Sequence, residues 1–133
     1  MTGFAVHRDE ASASFFDATA GGALAIRHCP ACSVHHQVHL RHCPEGHELE
    51  WVAASGSGTL ASWAIDHGRA LDPVLALPGG SSAFGIVELD EGPWMYVPLV
   101  DVDATSLMVG LRMSVRFVRP GDGETIPAFT RAP

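Results

Sequence analysis

The sequence predicts a mostly β protein, with an N-terminal helix and a zinc-ribbon-like segment followed by a five-stranded OB-fold barrel. Three observations carry that expectation. Cysteine and histidine crowd one short stretch. Short runs of β-branched and aromatic residues follow it, separated by Gly, Pro and Asp. The one well-punctuated helical segment lies before both. At 133 residues the chain has room for one ordinary domain, or for a small metal-held module joined to a compact barrel. The expected organisation is a helical segment over 1–22, a ribbon-like segment over 23–50 and the OB-fold over 51–133.

The helix is expected over residues 9–20. Asp9 is suited to the N-cap, Glu10 adds an acidic first turn, and Gly21-Gly22 supplies a glycine stop. Its apolar centre is Phe15-Phe16. Neighbouring positions on a helix lie about 100° apart, so the two rings are expected to diverge, one onto the ribbon and the other onto a different neighbour.

The ribbon is announced by Cys29-x2-Cys32, ten intervening residues, and Cys43-Pro44-Glu45-Gly46-His47. Two tight turns that each present two donors are what a tetrahedral ion needs from a small ribbon. A fourth thiolate is missing. Cys29, Cys32, Cys43 and His47 are the candidate ligands of a structural Zn2+; the other reading is a metal-free ribbon held by packing. A catalytic zinc is disfavoured, because no carboxylate base sits nearby in a metallohydrolase motif. An odd number of cysteines with this spacing fits reduced, metal-binding use better than a disulfide framework. His28, His35, His36, His39 and His42 read as a polar, exposed loop that would gain charge as pH falls.

After His47 the strands are expected at 51–53, 58–65, 83–89, 94–100 and 113–118, each with partial alternation. Residues 89–94, Leu-Asp-Glu-Gly-Pro-Trp, read as a hairpin turn, and 107–113 as a turn into a closing strand. Five strands in about 80 residues suit the partly open Greek-key barrel of the OB-fold.

The formal net charge is −7, from 8 Lys+Arg against 15 Asp+Glu, so phosphate backbones would be repelled over most of the surface and nucleic acid is not an expected partner. No stretch approaches the roughly 18 apolar residues of a membrane span, and residues 1–4 lack the basic-then-apolar pattern of a leader, so a cytoplasmic protein is expected. At 47% hydrophobic residues the chain is greasy enough for part of its surface to be covered by another protein.

Several pieces, in this order, resemble the DUF35 proteins: Arg27-x-Cys29-x2-Cys32, Arg41-x-Cys43-Pro44, Glu50-Trp51-Val52, Gly58-Thr59-Leu60-x-Ser62-Trp63, Glu88-Leu89-Asp90-Glu91-Gly92-Pro93, Leu107-x2-Gly110 and Pro127-x-Phe129. The resemblance implies a rubredoxin-like zinc ribbon joined to an OB-fold. It also implies an accessory subunit in acyl-CoA chemistry, beside a thiolase-like or sterol-carrier-type thiolase partner that performs retro-aldol cleavage, condensation or acyl transfer. The chain departs from that pattern at Gly46, where the family has its fourth Cys, at His39-Leu40 before Arg41, and around Ser81-Ser82.

Arg27 and Arg41 flank the knuckles and could hold the phosphates of coenzyme A, or form ordinary surface ion pairs. Residues 55–59, Ser-Gly-Ser-Gly-Thr, lack the Lys-Ser/Thr of a P-loop and read as a barrel connection. Trp51, Trp63 and Trp94 are expected in core or interface packing. Ser62, Asp66 and His67 include triad residue types without a nucleophile elbow, so no catalytic residue is assigned. The leading expectation is thus an accessory subunit in a two-plus-two hetero-oligomer. A free-standing acyl-CoA binder and a nucleic-acid-binding OB-fold are the alternatives.

Overall fold

In the computed structural model, which describes residues 5–133, helix α1 (Ala13–Ala20) is followed by a three-stranded antiparallel sheet and then by a closed five-stranded barrel. The sheet contains β1 (Ala25–Cys29), β2 (Val34–His36) and β3 (Glu50–Ala53) in the order β2-β1-β3. The barrel contains β4 (Ser57–Asp66), β5 (Ser82–Leu89), β6 (Trp94–Leu99), β7 (Arg112–Val118) and β8 (Ile126–Arg131) in the order β4-β5-β6-β8-β7, with β7 returning to β4. Only β6 and β8 pair in parallel. This is the strand order of an OB-fold.

The barrel has five strands, as expected, but one of them is a different segment. Trp51-Val52-Ala53 does not open the barrel: it pairs with Ile26 and its neighbours as the third ribbon strand. The fifth barrel strand is β8, where Pro127 interrupts the sequence pattern of a strand; the proline is tolerated near the strand's start, where β8 has few partners on the β6 side. The expected hairpin is present: the Gly92 amide donates to Leu89 O at 2.8 Å with Gly92 at φ +115°. Of residues 55–59 only Ser55 and Gly56 are connection: Ser57–Thr59 open β4, where Gly58 is packed too closely for a side chain, since a Cβ there would lie 2.5 Å from Glu88 O.

The helix begins later than its charges suggest. Asp9 and Ser12 form a reciprocal box, with the Ser12 amide donating to Asp9 Oδ1 at 2.8 Å and the Asp9 amide to Ser12 Oγ at 3.0 Å. That box closes a turn, and α1 starts beyond it. The glycine stop is as expected: the Gly22 amide bonds Thr19 O and the Ala23 amide bonds Ala18 O, with Gly22 at φ +82°. Phe15 packs on the ribbon, as expected of one of the two rings, but the rings do not reach separate cores. Both are buried in one core, edge to face at 5.2 Å, and Phe15 also meets Trp51 at 6.1 Å.

That core is continuous across the three segments. Phe15, Phe16, Leu24 and Ile26 join Leu60, Val87, Leu99, Met113 and Phe129 in one buried cluster. A second, small cluster contains Cys29, Cys43 and Leu49, with Leu40 against it. The knuckle end therefore has little apolar packing of its own.

Candidate functional site: a metal centre beside an arginine-lined cleft

The first knuckle follows β1 directly, and the second is a loop that folds back through the bridge between His42 and Glu48. Within the second turn the Gly46 amide donates to Cys43 O at 2.8 Å and the Cys43 amide to His47 O at 2.9 Å. Gly46 takes φ +88° there, a conformation that disfavours a ligand side chain and hands the fourth position to the next residue.

His47 Nδ1 lies 3.8 Å from Cys29 Sγ, 3.6 Å from Cys32 Sγ and 3.3 Å from Cys43 Sγ. All four ligand atoms fall within 4.8 Å of one another. Bonds of about 2.3 Å to sulfur and about 2.1 Å to nitrogen give a tetrahedral edge of roughly 3.5 Å, so the donor set fits a metal ion at its centre. Four protein ligands leave no open position for substrate water. Cys29 and Cys43 are buried, whereas Cys32 and His47 reach solvent.

The thiols are electronically unequal. Burial pushes the Cys29 thiol up, yet hydrogen bonds from the Cys32 amide at 3.3 Å and from the neighbouring thiols outweigh it and leave Cys29 below its ordinary range. Cys32 is pushed up to about 11, first by its bond to Cys29 and then by desolvation. Of this pair, Cys29 is the thiol that loses its proton more readily.

The remaining histidines do not form one exposed loop. His28, His35 and His36 sit half-buried on β1 and β2, with His28 opposite His35 across the pair and their rings 4.9 Å apart. His28 Nδ1 also meets Glu50 Oε2 at 2.7 Å. Of the five histidines around the knuckles, only His39 and His42 lie outside the strands and are exposed to solvent.

Arg27 and Arg41 come together. Arg27 projects from β1 and is 9% exposed, with its guanidinium 3.7 Å from the centre of the Trp51 ring on β3. Its Nε donates to Val38 O at 3.4 Å. Burial, and then the nearby Arg41 charge, hold Arg27 below the ordinary guanidinium range. Neither arginine has a carboxylate within ion-pair distance among the described residues, although Asp9, Glu10 and Glu48 stand on the rim. Arg8, Arg112 and Arg116, by contrast, are each paired, with Asp17 and Glu124, Asp90, and Asp101 respectively. In a chain of net charge −7, these two guanidiniums concentrate positive charge at one place without a carboxylate in ion-pair distance among the described residues.

The two arginines line a cleft of ≈ 370 Å³ with Trp51, Phe15, Phe16, and Val38 and His39 of the strap of residues 37–39. Through Phe15, Phe16, Val38 and His39 this cleft shares its walls with an apolar groove of ≈ 430 Å³ between the strap and barrel strand β6. The strap itself carried no sequence signal, because Gln37-Val38-His39 is neither periodic nor part of a motif; only its position between the two knuckles pointed to it. Ser62, Asp66 and His67 do not assemble: Asp66 Oδ1 instead accepts the Gly68 amide at 2.8 Å. Asp90 is held by both terminal nitrogens of Arg112 at 2.9 Å, and Glu91 accepts the Ser55 amide at 2.7 Å, which is turn chemistry. No helix among the described residues is long and apolar enough to cross a membrane.

Comparison with solved structures finds the same architecture. An "Ltp2-ChsH2(DUF35) aldolase" chain superposes with a TM-score of 0.79 at 25% identity, covering 98% of this chain and 99% of that one. A DUF35 protein of unknown function from Sulfolobus solfataricus superposes with a TM-score of 0.58 at 10% identity, covering 92% and 86%, and shows the fold alone. No curated protein matches this chain. The model of the ChsH2 C-terminal OB-fold domain matches residues 51–118, just over half of the 133 residues. The chain therefore belongs to the family of ChsH2 C-terminal OB-fold domains, as its DUF35-like motifs and its ribbon-plus-barrel architecture lead one to expect.

Proposed function

We propose that this chain is the accessory subunit of an aldolase complex that cleaves a CoA thioester, working beside a thiolase-like subunit of the sterol-carrier type. The single observation that carries the reading is the end-to-end match to a chain named as part of an Ltp2-ChsH2 aldolase. In this reading the partner supplies the carbon-carbon chemistry. The chain's own part is to dock on the partner and to hold coenzyme A, with Arg27 and Arg41 on its phosphates. Two features support that role: the arginines face one cleft without carboxylate partners, and the Cys29-Cys32-Cys43-His47 set is closed, which suits a structural zinc and not a hydrolytic one.

Zinc there would fix the two knuckle turns and, through them, the backbone of Arg41, whose carbonyl accepts the Leu49 amide at 2.9 Å. A two-plus-two assembly with the partner is the expected stoichiometry.

The test is reconstitution. The chain is purified with the thiolase-like protein of its own host, and retro-aldol cleavage of CoA thioesters is followed for each component and for the mixture. Co-elution in stoichiometric amounts, with turnover that requires both, is expected. A chain that stays monomeric and binds coenzyme A alone favours a free-standing carrier, and a mixture whose rate equals that of the partner by itself ends the subunit reading.

A further inference from the structure

We propose that the edge of β6 at Trp94 and Tyr96 is a strand-addition site, which pairs with an extended, uncharged segment of the thiolase-like subunit. The inference rests on the reading of this chain as an accessory subunit, and it names the element by which the chain docks. The site originates in a seam that the barrel cannot close. Strands β6 and β8 run parallel and pair at Leu99 and Phe129, where the Val100 amide donates to Phe129 O at 3.0 Å. One further step of that ladder would set Val97 beside Pro127, with the Pro127 nitrogen donating to Tyr96 O and the Pro98 nitrogen to Pro127 O. Neither proline carries an N–H, so the ladder stops.

The direction of the free backbone groups follows from the hairpin. The Leu89 amide donates to Pro93 O at 2.9 Å, which makes those two residues a hydrogen-bonded pair of the β5–β6 ladder. Such pairs alternate, so Met95 and Val97 bond back to Val87 and Gly85, whereas the N–H and C=O groups of Trp94 and Tyr96 point the other way, into the seam. No strand of this chain meets them there among the described residues. A side chain stands in at one position, where Gln37 Nε2 donates to Trp94 O at 3.4 Å.

The surroundings select the occupant. The edge lies in the apolar groove of ≈ 430 Å³, with Phe16, Ile26, Val38, Ile126 and Pro127 around it, and no Asp, Glu, Lys or Arg is among the residues that line it. A row of backbone donors and acceptors is matched by another polypeptide backbone, and a hydrocarbon chain would leave those groups unsatisfied. An extended segment sends alternate side chains to opposite sides, so one aliphatic set enters the groove while its backbone bonds Trp94 and Tyr96. The edge is recessed, so a single extended segment reaches it, and the equally recessed β6 of a second copy does not. The outer face of the strand extends the contact: the rings of Trp94 and Tyr96 are 51% and 73% exposed, and Phe84 stacks on Tyr96 with the rings nearly parallel. A subunit that adds a strand here also covers these rings.

Hydrogen-exchange mass spectrometry of the chain, alone and in complex with the thiolase-like protein of its own host, tests the site together with two substitutions at one position. Complex formation is expected to slow exchange of the Trp94 and Tyr96 amides by about tenfold or more. Tyr96→Ala removes the ring and keeps the edge donor. Tyr96→Pro removes the donor as well, on the same edge as Pro98, so pairing with β5 is kept. Tyr96→Pro is expected to weaken the complex by about tenfold beyond Tyr96→Ala, with Kd read by calorimetry. Unchanged exchange of β5 in the free Tyr96→Pro variant shows that the hairpin is intact, and the parent's own exchange decides the matter if it is not. A complex that forms with exchange at 94–96 unaltered, or in which an intact Tyr96→Pro binds as well as Tyr96→Ala, overturns the strand-addition site and leaves the subunit reading standing. Protection of 94–96 in the isolated chain that rises with its concentration gives the edge to a second copy and also overturns the proposal. Failure of the parent chain to form any complex removes the subunit reading and this inference together.

Discussion

Gly46 and His47 show how one residue's backbone decides another's chemistry. With Gly46 at φ +88° inside the second knuckle, the ligand position passes to His47, whose Nδ1 sits between three sulfurs. His47→Ala is expected to lose metal affinity by well over an order of magnitude, and His47→Cys to keep a full equivalent, both measured by elemental analysis of protein purified without chelator or affinity-tag metal. Less than about half an equivalent in the parent protein would refute a structural metal altogether. Arg27 offers a second residue-scale test. Its stacking on Trp51 and its burial mean that Arg27→Lys keeps the charge and loses the planar contact, so it is expected to shift Trp51 fluorescence and weaken binding of adenosine 3′,5′-bisphosphate.

At the scale of elements, the knuckle and the barrel draw on different sources of stability. The knuckle end is packed by Cys29, Cys43, Leu49 and Leu40 alone, whereas every barrel strand contributes to the large core. Stripping metal with a chelator is therefore expected to speed amide exchange across residues 29–49 and to leave β5, β6 and β8 protected, a pattern readable by hydrogen-exchange mass spectrometry. Uniform loss of protection would show the knuckle to be part of the barrel's cooperative unit. The hairpin joining β5 and β6 gives an element-scale pH dependence. Hydrogen bonds from Arg112, with its charge adding to them, hold Asp90 below the usual carboxylate range. A depressed folded-state pKa contributes stability that is fully present above the unfolded value of about 3.9 and disappears as pH falls through the folded value. Asp90→Asn is expected to flatten the acid limb of the stability curve below about pH 4, and an unchanged limb would place the acid sensitivity elsewhere.

For the whole molecule, the continuous core makes helix, ribbon sheet and barrel one packing unit. Phe16 belongs to α1 yet is buried with Leu89, Val97 and Phe129 of the barrel. Phe16→Ala is expected to cost about 3–5 kcal/mol and to lower the midpoint of the barrel's own denaturant transition, followed by tryptophan fluorescence and circular dichroism together. Two separated transitions, with the barrel's unmoved, would contradict a shared core. The same unity explains how the arginine cleft keeps its shape: one wall comes from α1, one from β1 and β3, and one from the strap between the knuckles.

Much of this was legible in order and composition. The Cys29-x2-Cys32 and Cys43-to-His47 spacings picked out the four side chains that converge, and the Gly-punctuated strand runs picked out most of the barrel. These features are local, so sequence alone determines them. What it did not determine depends on pairing between distant segments. Residues 51–53 look like any barrel strand until Ile26 and Val52 are seen side by side, and 126–131 does not look like a strand until β7 binds it along its length. The proximity of Arg27 to Arg41, the stacking on Trp51 and the groove behind the strap likewise arise only when the ribbon folds back on the helix. Spacing along a chain can specify a chelate, because both knuckles are short. A cleft is made by surfaces far apart in sequence, and only tertiary packing brings those together.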